Sequence, residues 1–338
     1  MSARTPWAVL GAVLILIGLV VSARATDDPH RFDDFPLKEP LHHPDWFKRS
    51  FMELQDDLAE AVAAGKDGII VYFGQKRCAY CRMLLEVNWR LPDIVAYTRR
   101  HFDVIAVDIW SPEEVTDVHG ETLSQRQYAL REKTNFTPSL IFYDAQGREA
   151  LRLRGYYPPY QFRAALEYVV DGYYRKEPFA DYLARGDNAP KFEPGDLNEE
   201  DFYTPPPFDL DRSRLPGERP LVVFFEQGEC HACDILHGEV LRDPEIHRQF
   251  ERFDDVQLDI RADTPVVTPD GKRTSARAWA HDLGLFYAPA LLFFDEHGRE
   301  IIRVDSVVRF YRLRNVLEYV TSRAYLTQPD YQRWRVSR

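Results

Sequence analysis

Basic charge is in deficit in this 338-residue chain, and cysteine is scarce. Lys and Arg number 43 against 54 Asp and Glu, a formal net charge of −11 at pH 7, so nothing in the balance invites nucleic acid or an anionic membrane surface. Glycine and proline, at 17 and 23 residues, fall short of the excess that marks low-complexity chain, and a globular protein is expected. A long apolar run is missing as well. The uncharged stretch Trp7 to Val21 has 15 residues, short of the roughly 20 that a membrane-spanning helix needs. It follows Arg4 and precedes Ala23, Arg24 and Ala25, with small residues where a signal peptidase reads. Residues 1–25 are therefore predicted to be a cleaved secretory signal, with an uncleaved N-terminal anchor as the alternative. Either way the body of the chain is expected in a compartment where disulfides persist. Removing residues 1–25 takes away Arg4 and Arg24 and no acid, so the formal charge moves from −11 to −13.

The four cysteines form two pairs, Cys78 with Cys81 and Cys230 with Cys233. Each pair follows a run of β-branched and aromatic residues that reads as a buried strand, and each opens a helical pattern. Cysteines three apart lie on one helix face, within reach of a disulfide. The first sits at the helix N-terminus, where unpaired N–H groups and the peptide dipoles favour a thiolate. This is the chemistry of thiol–disulfide exchange. Cys78 and Cys230 would attack or be attacked, and Cys81 and Cys233 would resolve the mixed disulfide. A structural disulfide is the bland alternative. Zinc is disfavoured, because ribbon pairs lie about 15 to 20 residues apart and these are 152 apart.

Length suits two domains of about 150 residues. Residues 26–45 read as an extended, charged lead-in. Residues 46–64 have apolar spacing for a helix, 69–73 for a strand, and the helix after Cys81 is interrupted at Pro92. A strand at 102–109, a polar insert at 111–122, a helix at about 123–133, a hairpin around Asp144 to Gly147 and a helix at 161–174 complete the first half. The order predicts an α/β fold, a central mixed sheet with helices on both faces. The second half repeats it: Asp108 and Asp259, Pro138 and Pro289, Gly147 and Gly298, and Leu166 and Leu317 are each 151 apart. The predicted division is a first domain over 46–185, a Pro-rich acidic linker over 186–219 acting as a semi-stiff spacer, a second domain over 220–327, and a loosely packed tail over 328–338.

Thr137 and Pro138, with Ala288 and Pro289, are the second candidate element of each site. A proline loop entering a strand beside a Cys pair exposes a backbone edge that can hold a substrate chain by strand-like hydrogen bonds. Arg77, Tyr80, Glu229 and His231 are candidate tuning residues. Arg77 favours a thiolate at Cys78 and Glu229 opposes one at Cys230, so the two sites are expected to titrate and reduce differently. A protonated His231 would make its disulfide more oxidising. Cys230, His231, Cys233 and His237 form a soft-ligand set, so a copper-binding protein is an alternative reading. A redox-inactive docking module is another. The preferred reading needs no metal and no cofactor.

Residues 67–185 are similar to the periplasmic SoxW-type thioredoxins. The resemblance is carried by Cys78-Ala79-Tyr80-Cys81-Arg82, Val107-Asp108-Ile109, Gly120, Thr137-Pro138 through Asp144, Gly147 and Arg152 through Tyr156. Cys230-His231-Ala232-Cys233 followed by Leu241 to Pro244 resembles the C-terminal thioredoxin domain of the electron importer DsbD. These resemblances imply two thioredoxin-like domains in the periplasm. They also imply electrons taken from a membrane thiol reductase and passed to disulfides of exported proteins, such as sulfur-oxidation carriers or apocytochromes. The chain departs from cytoplasmic thioredoxins, which carry a Trp before the first cysteine and an Asp in the preceding strand. Here Arg77 and Glu229, and Tyr72 and Phe224, hold those places, and no buried carboxylate is evident to relay a proton.

Overall fold

A computed structural model describes residues 28–186 and 197–337. The predicted signal or anchor lies outside them, as do residues 187–196 of the predicted linker. No helix of the described residues is long and apolar enough to cross a membrane.

The first half runs α1 (Leu54–Ala63), β1 (Gly68–Gly74), α2 (Ala79–Glu86), α3 (Pro92–His101), β2 (Phe102–Asp108), the small hairpin β3 (Glu114–Thr116) and β4 (Thr122–Ser124), α4 (Gln125–Arg131), β5 (Ser139–Asp144), β6 (Glu149–Arg154), α5 (Pro159–Val170) and α6 (Phe179–Gly186). The main sheet has the order β2-β1-β5-β6, with β1 parallel to β2 and antiparallel to β5. All seven residues of β1 are buried, because helices cover both faces. Ile70 and Tyr72 face one core, with Leu84, Trp89 and Phe162, while Ile69, Val71 and Phe73 face the other, with Leu54, Leu58 and Tyr128. Period-two alternation therefore feeds two helix layers from one strand.

The second half repeats this arrangement. It begins with the short strand β7 (Phe208–Asp209), followed by β8 (Leu221–Glu226), α7 (His231–Ile235), α8 (Pro244–Phe250), β9 (Asp254–Asp259), β10 (Pro265–Val267), β11 (Arg273–Ser275) and α9 (Ala276–Asp282). It closes with β12 (Ala290–Phe294), β13 (Glu300–Val304), α10 (Phe310–Thr321) and α11 (Tyr331–Val336). The main sheet order is β13-β12-β8-β9.

Three expectations about the chain outside the two sheets need correction. The helix predicted from residue 46 begins only at Leu54: Met52 sits at φ 65°, Ser50 is tied to the Asp57 carboxylate, and Phe51 is 96 % exposed. The described part of the linker is no free spacer. Phe202 stacks on Phe250 at 5.0 Å, the Leu210 N–H donates to Val267 O, and the buried Arg212 donates to the Asp254 carboxylate at 2.7 Å. Its aromatic residues supply anchors that proline content alone conceals. The tail does not pack loosely: Asp330 caps α11, and Tyr331 and Trp334 are buried against Tyr319.

The two domains exchange side chains across a pseudo-symmetric interface. Phe136 packs in the core of the second domain, and Tyr287, which stands 151 residues later, packs in the core of the first. Between them the Val307 N–H donates to Tyr156 O at 3.1 Å. Gly155, at φ 107°, permits this approach, since a Cβ there would lie 2.0 Å from the Ser306 Oγ. The lead-in crosses the same seam. The Asp34 carboxylate accepts from the Tyr80 hydroxyl and from the N–H groups of Tyr311 and Arg312, each at 2.8 Å, and so caps α10 from 277 residues away.

Candidate active sites

Each interior strand, β1 and β8, ends where the following helix starts, and the first cysteine caps that helix. Cys78 and Cys230 have extended backbone, and their sulfurs accept from the N–H of Cys81 at 2.9 Å and of Cys233 at 3.1 Å. Each pair is disulfide-bonded, with Cα atoms 5.1 Å apart. Cys78 and Cys230 retain 7 % exposure, whereas Cys81 and Cys233 have none. That gradient fits an attacking outer sulfur and a resolving inner one. The helix terminus and its free N–H groups would stabilise a thiolate at the outer position.

The proline loops stand at the same sulfurs. Cys78 Sγ lies 3.5 Å from Thr137 O and 3.3 Å from its Oγ1, and Cys230 Sγ lies 3.6 Å from Ala288 O. Pro138 and Pro289 follow cis peptide bonds. Thus the cysteines, Thr137, Pro138, Ala288 and Pro289 are brought together as two equivalent sites, one in each half.

A family model for the thioredoxin-like domain matches residues 54–170 and again 208–321. The chain belongs to the thioredoxin-like family. With a disulfide at the head of a helix in each thioredoxin-like domain, it is a thiol–disulfide oxidoreductase. Solved structures similar to it include a thioredoxin-fold protein from Helicobacter pylori, 25 % identical, covering 35 % of this chain and 78 % of that one at a TM-score of 0.31. A thioredoxin from Thermus thermophilus is 26 % identical, covering 35 % and 84 % at 0.29. The DsbD C-terminal domain from Neisseria meningitidis is 19 % identical, covering 32 % and 84 % at 0.24. No curated protein matches the chain.

The surroundings of the two thioredoxin-like sites differ. Tyr80 is buried, and its hydroxyl donates to Asp34 and accepts from the Arg309 N–H at 2.9 Å. Burial and the Asp34 carboxylate push this phenol well above its usual range, so it remains a donor. Arg77 and Glu229 are both exposed, Glu229 at φ 53°. His231 is exposed as well, its Nε2 2.8 Å from the Asp28 carboxylate.

Two expectations about the second site are corrected. A buried carboxylate does exist. Glu226, at the end of β8 four residues before Cys230, is fully buried, and its carboxylate meets His237 Nε2 at 2.9 Å and the Gln257 amide at 3.0 Å. The proposed metal set is not assembled, because both ring nitrogens of His237 are engaged by carboxylates, Nδ1 by Glu200 at 2.8 Å. Among the described residues the sole cluster with ligand spacing is Glu200, Asp201 and His247, away from the cysteines in sequence. The first domain carries Gly74 and Leu85 in the places of Glu226 and His237. Comparing unlike residues at the repeat offset was the signal that would have found this pair. A π-helical turn over Leu236–Val240, in which the Leu241 N–H donates to Leu236 O, follows α7 and carries His237.

Burial lowers the His237 pKa, but Glu226 and Glu200 outweigh burial and hold it above the usual 6.5. A raised folded-state value means that the stabilisation is complete below about pH 6.5 and is lost as pH rises through the folded pKa. His237→Gln is therefore expected to cost about 1–2 kcal/mol below pH 6.5 and progressively less above it. Urea unfolding of both proteins at pH 5.5 and 8.5 measures the difference; an equal cost at both values removes the charged-histidine account.

Proposed function

We propose that this oxidoreductase works outside the cytosol, passing reducing equivalents to disulfides of exported proteins, with a membrane thiol reductase as its electron donor. The observation that carries the reading is the duplicated site: an outer sulfur at a helix N-terminus, an inner sulfur sealed from solvent, and a proline-loop carbonyl within 3.6 Å of the outer one. The apolar run Trp7 to Val21, followed by Ala23 and Ala25, supports export, and the restriction of all cysteine to the two pairs suits an oxidising compartment.

In the exchange, a thiolate at Cys78 or Cys230 displaces one sulfur of a partner disulfide, and Cys81 or Cys233 then releases the reduced partner. Serine at Cys81 and Cys233 blocks the second step. Expressed with its own N-terminus, that variant is expected to accumulate mixed disulfides with exported proteins that dithiothreitol releases. Adducts confined to cytosolic proteins, or none, would oppose the reading.

A further inference from the structure

The first site opens into a narrow cavity between the domains, of about 50 Å³, lined by Cys78 and Tyr80 and by three guanidinium side chains, Arg77, Arg312 and Arg335. Asp34 is the acid in that lining, and its carboxylate is spent on Tyr80 and the start of α10. The arginines lack such partners. Arg312 is 6 % exposed, lies over the Tyr80 ring at 3.3 Å, and donates only to neutral oxygens of Thr137, Val307 and Ser306. Arg335 donates to the amide oxygens of Gln332 and Gln75. Neither they nor Arg77 form an ion pair among the described residues, in a chain whose net charge is −11. A positive excess with one of its guanidinium groups buried is stabilised by an anion brought to it.

The second site lacks this excess. Glu229 precedes Cys230, Asp234 follows Cys233, and Asp28 is paired with His231 and Arg31.

We propose that the first site is selective for anionic disulfides, those carrying a carboxylate within a few bonds of the reacting sulfur, and that the second is not. This rests on the exchange reading above and adds the substrate class. Reduced Cys78 attacks the near sulfur of the substrate, whose S–S bond breaks and releases one half as a thiolate. Cys81 then attacks Cys78 Sγ and releases the other half. The substrate gains two electrons, the Cys78–Cys81 pair loses two, and the two thiol protons pass to the released thiolates. The arginines lower the cost of bringing in the negative group and act before any bond is broken. They are specificity residues, and the sulfurs remain the reacting atoms.

The test uses the full chain with Cys230→Ser and Cys233→Ser, its first site reduced by dithiothreitol and the excess removed. Oxidation is followed by stopped flow with three size-matched probes: 3,3′-dithiodipropionate, bis(2-hydroxyethyl) disulfide and cystamine. Each rate is divided by that of free dithiothreitol with the same probe, which removes intrinsic leaving-group differences. The anionic probe is expected to exceed the cationic one at least tenfold, with the ratio falling at high salt and in Arg77→Glu with Arg335→Glu. The mirror protein, with Cys78→Ser and Cys81→Ser, shows no such preference. A cystine-linked peptide flanked by Glu or by Lys distinguishes sources: a Glu preference as large as that of the small acid assigns the anion to a peptide, and its absence assigns it to a small molecule. A normalised ratio within twofold of unity, or one unchanged by the Arg variants, overturns the proposal. Failure of all probes to oxidise either pair would overturn the exchange reading itself.

Discussion

Serine at Cys78 and Cys230 together abolishes exchange, with a loss of at least ~10³-fold in dithiothreitol-driven insulin reduction, because a hydroxyl at neutral pH offers almost no nucleophilic anion. Both domains place the outer sulfur at a helix start, with N–H donors at 2.9 and 3.1 Å, so both are expected to contribute. Single variants are therefore expected to keep the exchange of the intact site. Insulin turbidity measures the sum. Alkylation and mass spectrometry of each tryptic Cys peptide assign it. A double variant that retains more than a tenth of the activity would place the chemistry outside the cysteines.

Asp255→Asn is expected to stabilise the second domain by about 2–4 kcal/mol at pH 8, and to change little near pH 3. Asp255 is 3 % exposed on β9, beside Val222, and one carboxylate oxygen has no hydrogen-bond partner. Burial, followed by the neighbouring Asp254, raises its pKa to about 8. A carboxyl whose folded pKa lies above its unfolded value binds its proton more tightly when folded, so stability falls as pH rises from about 4 to 8. Asparagine removes that slope. The first domain has Val104 in the same register place, opposite Ile70, so the site also accepts an apolar side chain. Thermal unfolding of the two proteins across pH 4 to 9 checks the slope. Parallel curves would mean that Asp255 is ionised throughout. With His237 it makes the second domain more resistant on the acid side, since both groups lose stabilisation as pH rises.

Local pattern carried the sheets, the two Cys helices and the proline loops, because each is written in a few adjacent residues and then written again 151 or 152 residues on. What stayed hidden is long-range. Asp34 reaches Tyr80 and α10, and Arg312 reaches the Thr137 carbonyl across 175 residues; no spacing encodes such contacts. The lead-in and tail read as loose because they are short and polar. They are held by scattered anchors, among them Phe32, Asp34, Tyr331 and Trp334, set between polar neighbours. Glu226 was visible as the last residue of a strand, but its burial goes with partners from elsewhere in the chain, Gln257 and a His237 that is itself held by Glu200. Differences between the repeats thus marked the unlike surroundings of the two sites, and their similarities marked the fold.

Equilibration of the intact protein against graded dithiothreitol and glutathione couples, with each Cys pair quantified by alkylation, tests the central claim most directly. Two reversible two-electron transitions, both within about −120 to −270 mV, are predicted for exchange-competent sites. A pair that stays oxidised in the native protein below about −300 mV would be a structural disulfide, and the account of that half as a reaction centre would be contradicted.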